Sequence, residues 1–252
     1  MEQEKTNYVQ RVSQDGYVEA VPVTEADIAR VDAAVSKGLR ASLSWMVLGL
    51  VTTIIIGAFM LMNPNWIRFT SQYFTYIMLA EVGVVFLFSA RAMKANYSSL
   101  LGMFFLYSML NGLTLTLIGA SYGMTAVVSA TIGTVSFFAG AAIVGNVVKR
   151  DMTRIGNYAL AAVVAMILCS LFMMFTGFNS VLNMVLGYLG IVVFAVFTAV
   201  DINRIKRNLA LAALTEDESV LERISLLGAL SLYLDVINLF LSFLRVFGSN
   251  RD

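Results

Sequence analysis

The sequence predicts an all-α integral membrane protein with seven transmembrane helices, and three observations predict it. Its 252 residues are 59% hydrophobic and only 13% charged. Its mean hydropathy is +0.80. Seven apolar runs hold 18 to 23 residues each. A soluble domain of this length needs far more polar surface, whereas a helix of about 20 residues crosses about 30 Å of hydrocarbon.

The chain opens on a tail, residues 1–40. Met1 to about Ala20 is polar and without periodicity, so a disordered segment is expected there. From Thr24 the text "TEADIARVDAAVSKGLR" begins with a capping-box pair, Thr24 and Asp27, and sets Ile28, Val31, Val35 and Leu39 at helical spacing. This reads as a cytoplasmic amphipathic helix on the membrane or against the bundle. The transmembrane domain, residues 41–248, follows. Its spans are Leu43–Met62, Tyr73–Ala90, Leu100–Ala120, Ala126–Val148, Ile155–Phe175, Val181–Val200 and Leu226–Phe247. The first begins after 42 polar residues, so it is not a cleaved signal peptide. Trp45 and Trp66 flank it and suit an interfacial aromatic belt. Connections such as Ser121–Thr125 and Gly177–Ser180 are short and make successive helices antiparallel neighbours. Thr215 and Glu218 form a second capping-box pattern, which starts the last helix well before its apolar run.

Orientation follows from the cations. Fourteen of the 17 Lys and Arg residues fall on one side: five in the tail, Arg91 and Lys94, then Lys149, Arg150 and Arg154, then Arg204, Lys206, Arg207 and Arg223. Only Arg68, Arg245 and Arg251 fall on the other. The positive-inside rule places the N-terminus in the cytoplasm and the C-terminus outside.

Composition also excludes chemistry. There is no histidine, and Cys169 is the only cysteine. Zinc or copper on His and Cys, haem on histidine, internal disulfides and His-dependent triads are all ruled out. The net charge of +1 makes no case for nucleic acid. Carboxylates and hydroxyls remain, and an enzyme is not expected.

The last span carries the informative pattern. Gly228, Ser231, Asp235, Asn238, Ser242 and Arg245 recur every three or four residues, so they share one face of a helix that is otherwise Leu, Val, Ile and Phe. An uncompensated charge at mid-membrane costs about 3 kcal/mol or more, so this stripe faces the bundle interior. Polar contact between helices explains the serines and Asn238 but not the choice of Asp over Asn at 235. Glu81 falls mid-way along the second span, with Arg91 at its end. Asp201 ends the sixth, sharing a face with Thr198, Phe194, Gly190 and Gly187, and small residues there allow close approach. The third span carries Tyr107, Asn111 and Thr114 on one side.

The segments "ALSLYLDVINLFLSFLRVFG", "FTAVDINRIK" and "NGLTLTLI" resemble the Bax inhibitor-1 (transmembrane Bax inhibitor motif) family, in its bacterial YccA-like branch, over about residues 40 to 248. Val200 stands where the family usually has an aromatic residue. The resemblance implies six helices around a central seventh, a bacterial inner membrane, and a pH-sensitive calcium leak gated by an aspartate pair, Asp201 and Asp235, with Arg91 as the nearby arginine. Glu81 matches the family's acid of the second helix. With Asn111 and Asn238 it marks the expected ion path, and calcium is expected to meet Asp201 and Asp235 transiently. Some bacterial relatives are associated with a membrane-bound AAA protease, so an alternative role is a regulator that binds such a protease.

The physics of such a pair is simple. Two carboxyl groups in a low-dielectric interior cannot both ionise cheaply, so they share a proton and titrate as one unit. Without histidine, a pH sensor here uses carboxylates. Calcium prefers oxygen ligands, and the spans offer carboxylates, Asn and hydroxyls but no nitrogen or thiolate cluster. Protons and calcium ions are therefore the expected partners, besides the lipid bilayer. Two further readings fail on the residues. An intramembrane aspartyl protease wants a Gly-x-Gly-Asp segment that is missing around both aspartates, and a retinal protein needs a lysine on the last span.

Overall fold

The computed structural model describes residues 8–12, 18–22, 24–92, 94–177, 179–214 and 217–248. Among them, two strands, β1 (Tyr8–Val12) and β2 (Val18–Pro22), precede eight helices. These are α1 (Glu25–Leu61), α2 (Pro64–Gln72), α3 (Phe74–Arg91), α4 (Tyr97–Tyr122), α5 (Met124–Val147), α6 (Thr153–Thr176), α7 (Ser180–Ala213) and α8 (Glu218–Gly248). Seven of the eight, all but α2, are long and apolar enough to cross a membrane.

The tail departs from expectation twice. Where disorder was expected, β1 and β2 pair antiparallel, with Val9 opposite Val21, Val12 opposite Val18 and Arg11 opposite Glu19. The reason is legible in the text: two valine-bearing runs flank a segment containing Asp15-Gly16, a strong hairpin signal. The rest of the expected disordered stretch, residues 1–7 and 13–17, lies outside the described residues. The amphipathic segment is not separate from the first span either. The Thr24 hydroxyl accepts from the Asp27 N–H while the Asp27 carboxylate accepts from the Thr24 N–H, and from this capping box α1 runs unbroken for 37 residues. No proline interrupts it until Pro64, so residues 40 and 41 sit mid-helix rather than at a boundary.

The short helix α2 takes Pro64 at its first position, with the Asn63 side chain accepting from the Asn65 N–H. Phe59, Trp66, Phe69, Tyr73 and Tyr76 form a continuous aromatic run there, with neighbouring ring centroids 4.8 to 6.4 Å apart. Exposed amphipathic rings at the end of a span suit the membrane interface. The turns into α5 and α7 pass through Gly123 and Gly177 at φ 79° and 103°, a region costly for other residues.

The last helix is the centre of the bundle. Leu226, Ala229, Leu232, Tyr233, Leu239 and Leu244 are all completely buried. Around α8 stand α1, α4, α5 and α7, while α3 lies outside on α4 and α6 lies outside on α7. The six surrounding helices thus form an inner four and an outer two. The lipid-facing sides of α5 and α6 stay apolar and exposed, as with Ile132, Ile143, Leu168 and Phe172, which in lipid carries no penalty.

Candidate functional site

The site is built where α7 meets α8. Gly187 packs on Val246 and Arg245, Gly190 on Ser242, and Ile205 on Gly228. The two helices are therefore antiparallel neighbours, with glycines admitting side chains of the partner, as the small-residue face of the sixth span foretold. A further close approach, Gly145 of α5 against the backbone of Ala199, seats α7 from the opposite side.

This interface carries Asp201 and Asp235, which are 7% and 6% exposed. By the same register Ser231 is level with Asp201, and Asp235 lies about 5 Å, one turn, further along the axis. Asp201 Oδ1 and Asp235 Oδ2 are buried, with no hydrogen-bond partner among the described residues. Arg204 Nη1 stands 3.4 Å from Asp201 Oδ1, an ion pair too long to be a well-formed hydrogen bond. Unsatisfied buried oxygens cost about 1–3 kcal/mol each, more when charged, so this is a place in the bundle that favours a proton or cation.

Asp201 is not a helix terminus. α7 continues to Ala213, 13 residues beyond the predicted Val200, and α8 starts at Glu218. The connection between these two spans is mostly helix, so Asp201 is not a solvated carboxylate at a helix end. Thr215 and Glu216 lie outside the described residues. Asp217 accepts from the Ser219 N–H at the start of α8.

The arginine at the pair is Arg204, not Arg91. Arg91 is exposed at the end of α3, which packs on α2 and α4 and has no extended interface with α7 or α8. Sequence spacing contained the correct answer, since positions three apart on a helix are neighbours.

Nor do the expected ion-path residues form one line. Asn238 shares the face of Asp235, and its amide nitrogen donates to Leu234 O at 2.8 Å. Glu81 and Asn111 belong to a second polar layer, among α1, α3, α4 and the other flank of α8. There the Thr114 hydroxyl donates to Glu81 at 2.8 Å, and Asn111 Nδ2 donates to Tyr107 O at 3.1 Å. The Tyr233 and Thr53 hydroxyls lie 2.7 Å apart. Tyr233 and Asp235, two residues apart, point about 160° away from each other, which separates the layers. Nothing in the periodicity of Thr53 foretold its bond to Tyr233.

Among the described residues no group of three or more His, Cys, Asp or Glu is placed to hold a metal. Calcium takes six to eight oxygens, so two carboxylates, the Ser231 hydroxyl and the Asn238 oxygen are too sparse for a storage site.

Comparison with known proteins agrees with this architecture. The family model described as "Inhibitor of apoptosis-promoting Bax1" matches residues 35–252. "Inner membrane protein YbhL" of Escherichia coli K12 is 34% identical over 210 residues, covering 82% of this chain and 89% of that protein. An uncharacterized protein of Deinococcus radiodurans is 32% identical over 209 residues, 83% and 88% of the two chains. An uncharacterized membrane protein of Streptococcus pyogenes serotype M1 is 34% identical over 172 residues, 68% and 72%. Seven apolar helices and these relatives make the chain a multi-pass inner-membrane protein. A central polar helix, a buried aspartate on each of the last two helices, and these matches together place the chain in the Bax inhibitor-1 family.

Proposed function

We propose that the protein is a pH-controlled calcium leak whose gate is the Asp201–Asp235 pair. The observation that carries this reading is the burial of both carboxyl groups in the α7–α8 interface, with one oxygen of each lacking a hydrogen-bond partner. A proton held between them joins the two helices. Losing it leaves two anions repelling across a low-dielectric contact, balanced only by Arg204, a passing cation, or separation of the helices. Flux therefore rises as pH increases through the titration of the pair. The basic ends of the helices face the cytoplasm. The work is binding and gating, not catalysis, consistent with a membrane family that is not a known enzyme family.

Purified protein in calcium-loaded liposomes, assayed at acid and neutral pH, tests this. Asp201→Asn and Asp235→Asn are each expected to abolish the difference between the two pH values. An unchanged pH dependence removes the mechanism. A second reading, in which the protein binds and modulates a membrane-bound AAA protease, draws on the hairpin of β1 and β2, which precedes the region matched by the family model. Deleting residues 1–23 separates the two: loss of a protease complex with flux intact assigns the tail to binding.

A further inference from the structure

The most concentrated charge in the bundle lies away from the carboxylate pair's buried side, where α5, α6 and α7 emerge together. Lys149 and Arg150 stand in the connection after α5, Arg154 in the first turn of α6, and Arg204, Lys206 and Arg207 on α7. Against these six cations stand two carboxylates, Asp151 and Asp201. The local excess is four positive charges in a chain whose net charge is +1.

The cluster is held in place. Asn203 Nδ2 donates to Val148 O at 2.8 Å, Lys206 Nζ donates to Asn146 O at 2.6 Å, and Arg207 pairs with Asp151. Asp151 in turn accepts from the Thr153 N–H at 2.8 Å, fastening the connection to the start of α6. Arg204 lies over Gly156, one turn into α6, where a Cβ would stand 3.6 Å from its Nη2. These braces occupy Lys206, Arg207 and part of Arg204. Lys149, Arg150 and Arg154 are exposed, and no ion pair or hydrogen bond engages their side chains among the described residues.

Depth decides what they meet. α5 ends at Val147 and α6 begins at Thr153, and both are of membrane-spanning length and composition. Their connection therefore sits where the spans leave hydrocarbon, at the level of lipid headgroups. Lysines and arginines at that level attract anionic lipids, and guanidinium groups match phosphate oxygens in a bidentate fashion.

We propose that Lys149, Arg150 and Arg154, with the exposed edge of Arg204, form a binding site for the phosphate headgroup of an anionic phospholipid. Charge complementarity at headgroup depth favours a membrane lipid over a free phosphate ion. The connection that carries Lys149 and Arg150 is fastened to α7 and to the start of α6 by these bonds, so the site retains a lipid rather than merely enriching one nearby. It is independent of the leak reading, since retention is measured without any flux.

The experiment reconstitutes the full chain in phosphatidylcholine vesicles containing spin-labelled phosphatidylglycerol or spin-labelled phosphatidylcholine and reads the motionally restricted fraction by electron spin resonance. The wild type is expected to prefer the phosphatidylglycerol label severalfold, roughly 3-fold or more, at low salt, with a decline as salt screens the contact. Lys149→Gln/Arg150→Gln/Arg154→Gln is expected to bring the ratio close to one. Arg91→Gln/Lys94→Gln, which removes two cations elsewhere at the same end, is expected to leave it nearly unchanged. Equal losses in both variants would mean diffuse charge and overturn the site, as would no preference in the wild type. Displacement of the labelled lipid by 10 mM inorganic phosphate, beyond that by chloride of matched ionic strength, would overturn the choice of a lipid. If the triple variant does not fold, Arg150→Gln/Arg154→Gln serves, with about two thirds of the loss expected.

Discussion

At the scale of single residues, the exchange of Arg91 for Arg204 is the sharpest correction, and it is testable. Arg204 lies 3.4 Å from Asp201 and is half exposed, so it offsets charge on the pair while remaining open to solvent. Arg204→Gln is expected to shift the pH midpoint of calcium flux, whereas Arg91→Gln leaves the midpoint where it was. A larger shift from Arg91→Gln would return that residue to the gate. The glycines allow an equally direct comparison. A Cβ on Gly145 meets the carbonyl and backbone of Ala199, which cannot rotate away, while Gly102 and Gly140 have open space around the same position. Gly145→Ala is expected to cost about 1–3 kcal/mol through overpacking. Gly140→Ala is expected to be neutral or to stabilise by up to about 1 kcal/mol through helix propensity. Thermal unfolding in detergent measures both.

At the scale of elements, the long helix α1 links the tail to the core. Its N-terminal half packs Val35 and Leu39 on the central cluster, Gly38 meets Leu209 and Ser225, and the Ser42 hydroxyl donates to Ser225 O at 2.8 Å. Near its start, Lys37 Nζ reaches Glu218 at 2.8 Å, clipping α1 to the first turn of α8. The hydrogen bond and charge of Lys37 hold the Glu218 carboxyl below the usual carboxylate range, and Glu218 raises Lys37 above the ordinary lysine value. The sign follows for each partner. The Glu218 contribution is present above the ordinary carboxylate value and lost as pH falls through its lowered value. That of Lys37 is present below the ordinary lysine value and lost as pH rises through its raised one. Both groups are fully exposed, so the clip adds little to global stability and less in salt. Local opening is the sensitive readout: amide exchange over Glu218–Leu221 is expected to accelerate in acid and on Lys37→Ala. Equal protection in the variant at neutral pH and low salt would show that the clip does nothing.

At the scale of the whole molecule, the arrangement explains how the last helix carries a polar face through the bundle. α8 is surrounded by four others, so its polar face never meets lipid, and its two flanks serve two separate layers. Asp235 faces α7, and Tyr233 faces α1 and α4. Topology is the remaining expectation at this scale. A phosphatase reporter that folds only outside the cytoplasm is expected to be active when fused after residue 252 and inactive when fused within the 148–152 connection. The opposite pattern would invert the bundle and place the cationic end outside.

The sequence alone determined the membrane class, the seven spans, the Thr24 capping box, the polar face of the last helix and an aspartate on each of the last two spans. These follow from chain-local physics, namely hydrocarbon thickness, helical pitch and the cost of charge in lipid. It did not determine that α1 runs unbroken from tail to membrane or that α7 extends to Ala213. Where an amphipathic run passes into an apolar one without a breaker, only packing decides whether the helix continues. Tertiary structure alone decided which arginine meets Asp201, that Glu81 and Asn111 lie on the flank of α8 away from the pair, and which cations are left unpaired at the helix ends. Those outcomes depend on the rotation and register of neighbouring helices. Close packing sets them, with glycines admitting side chains between α7 and α8, and no residue encodes them by itself.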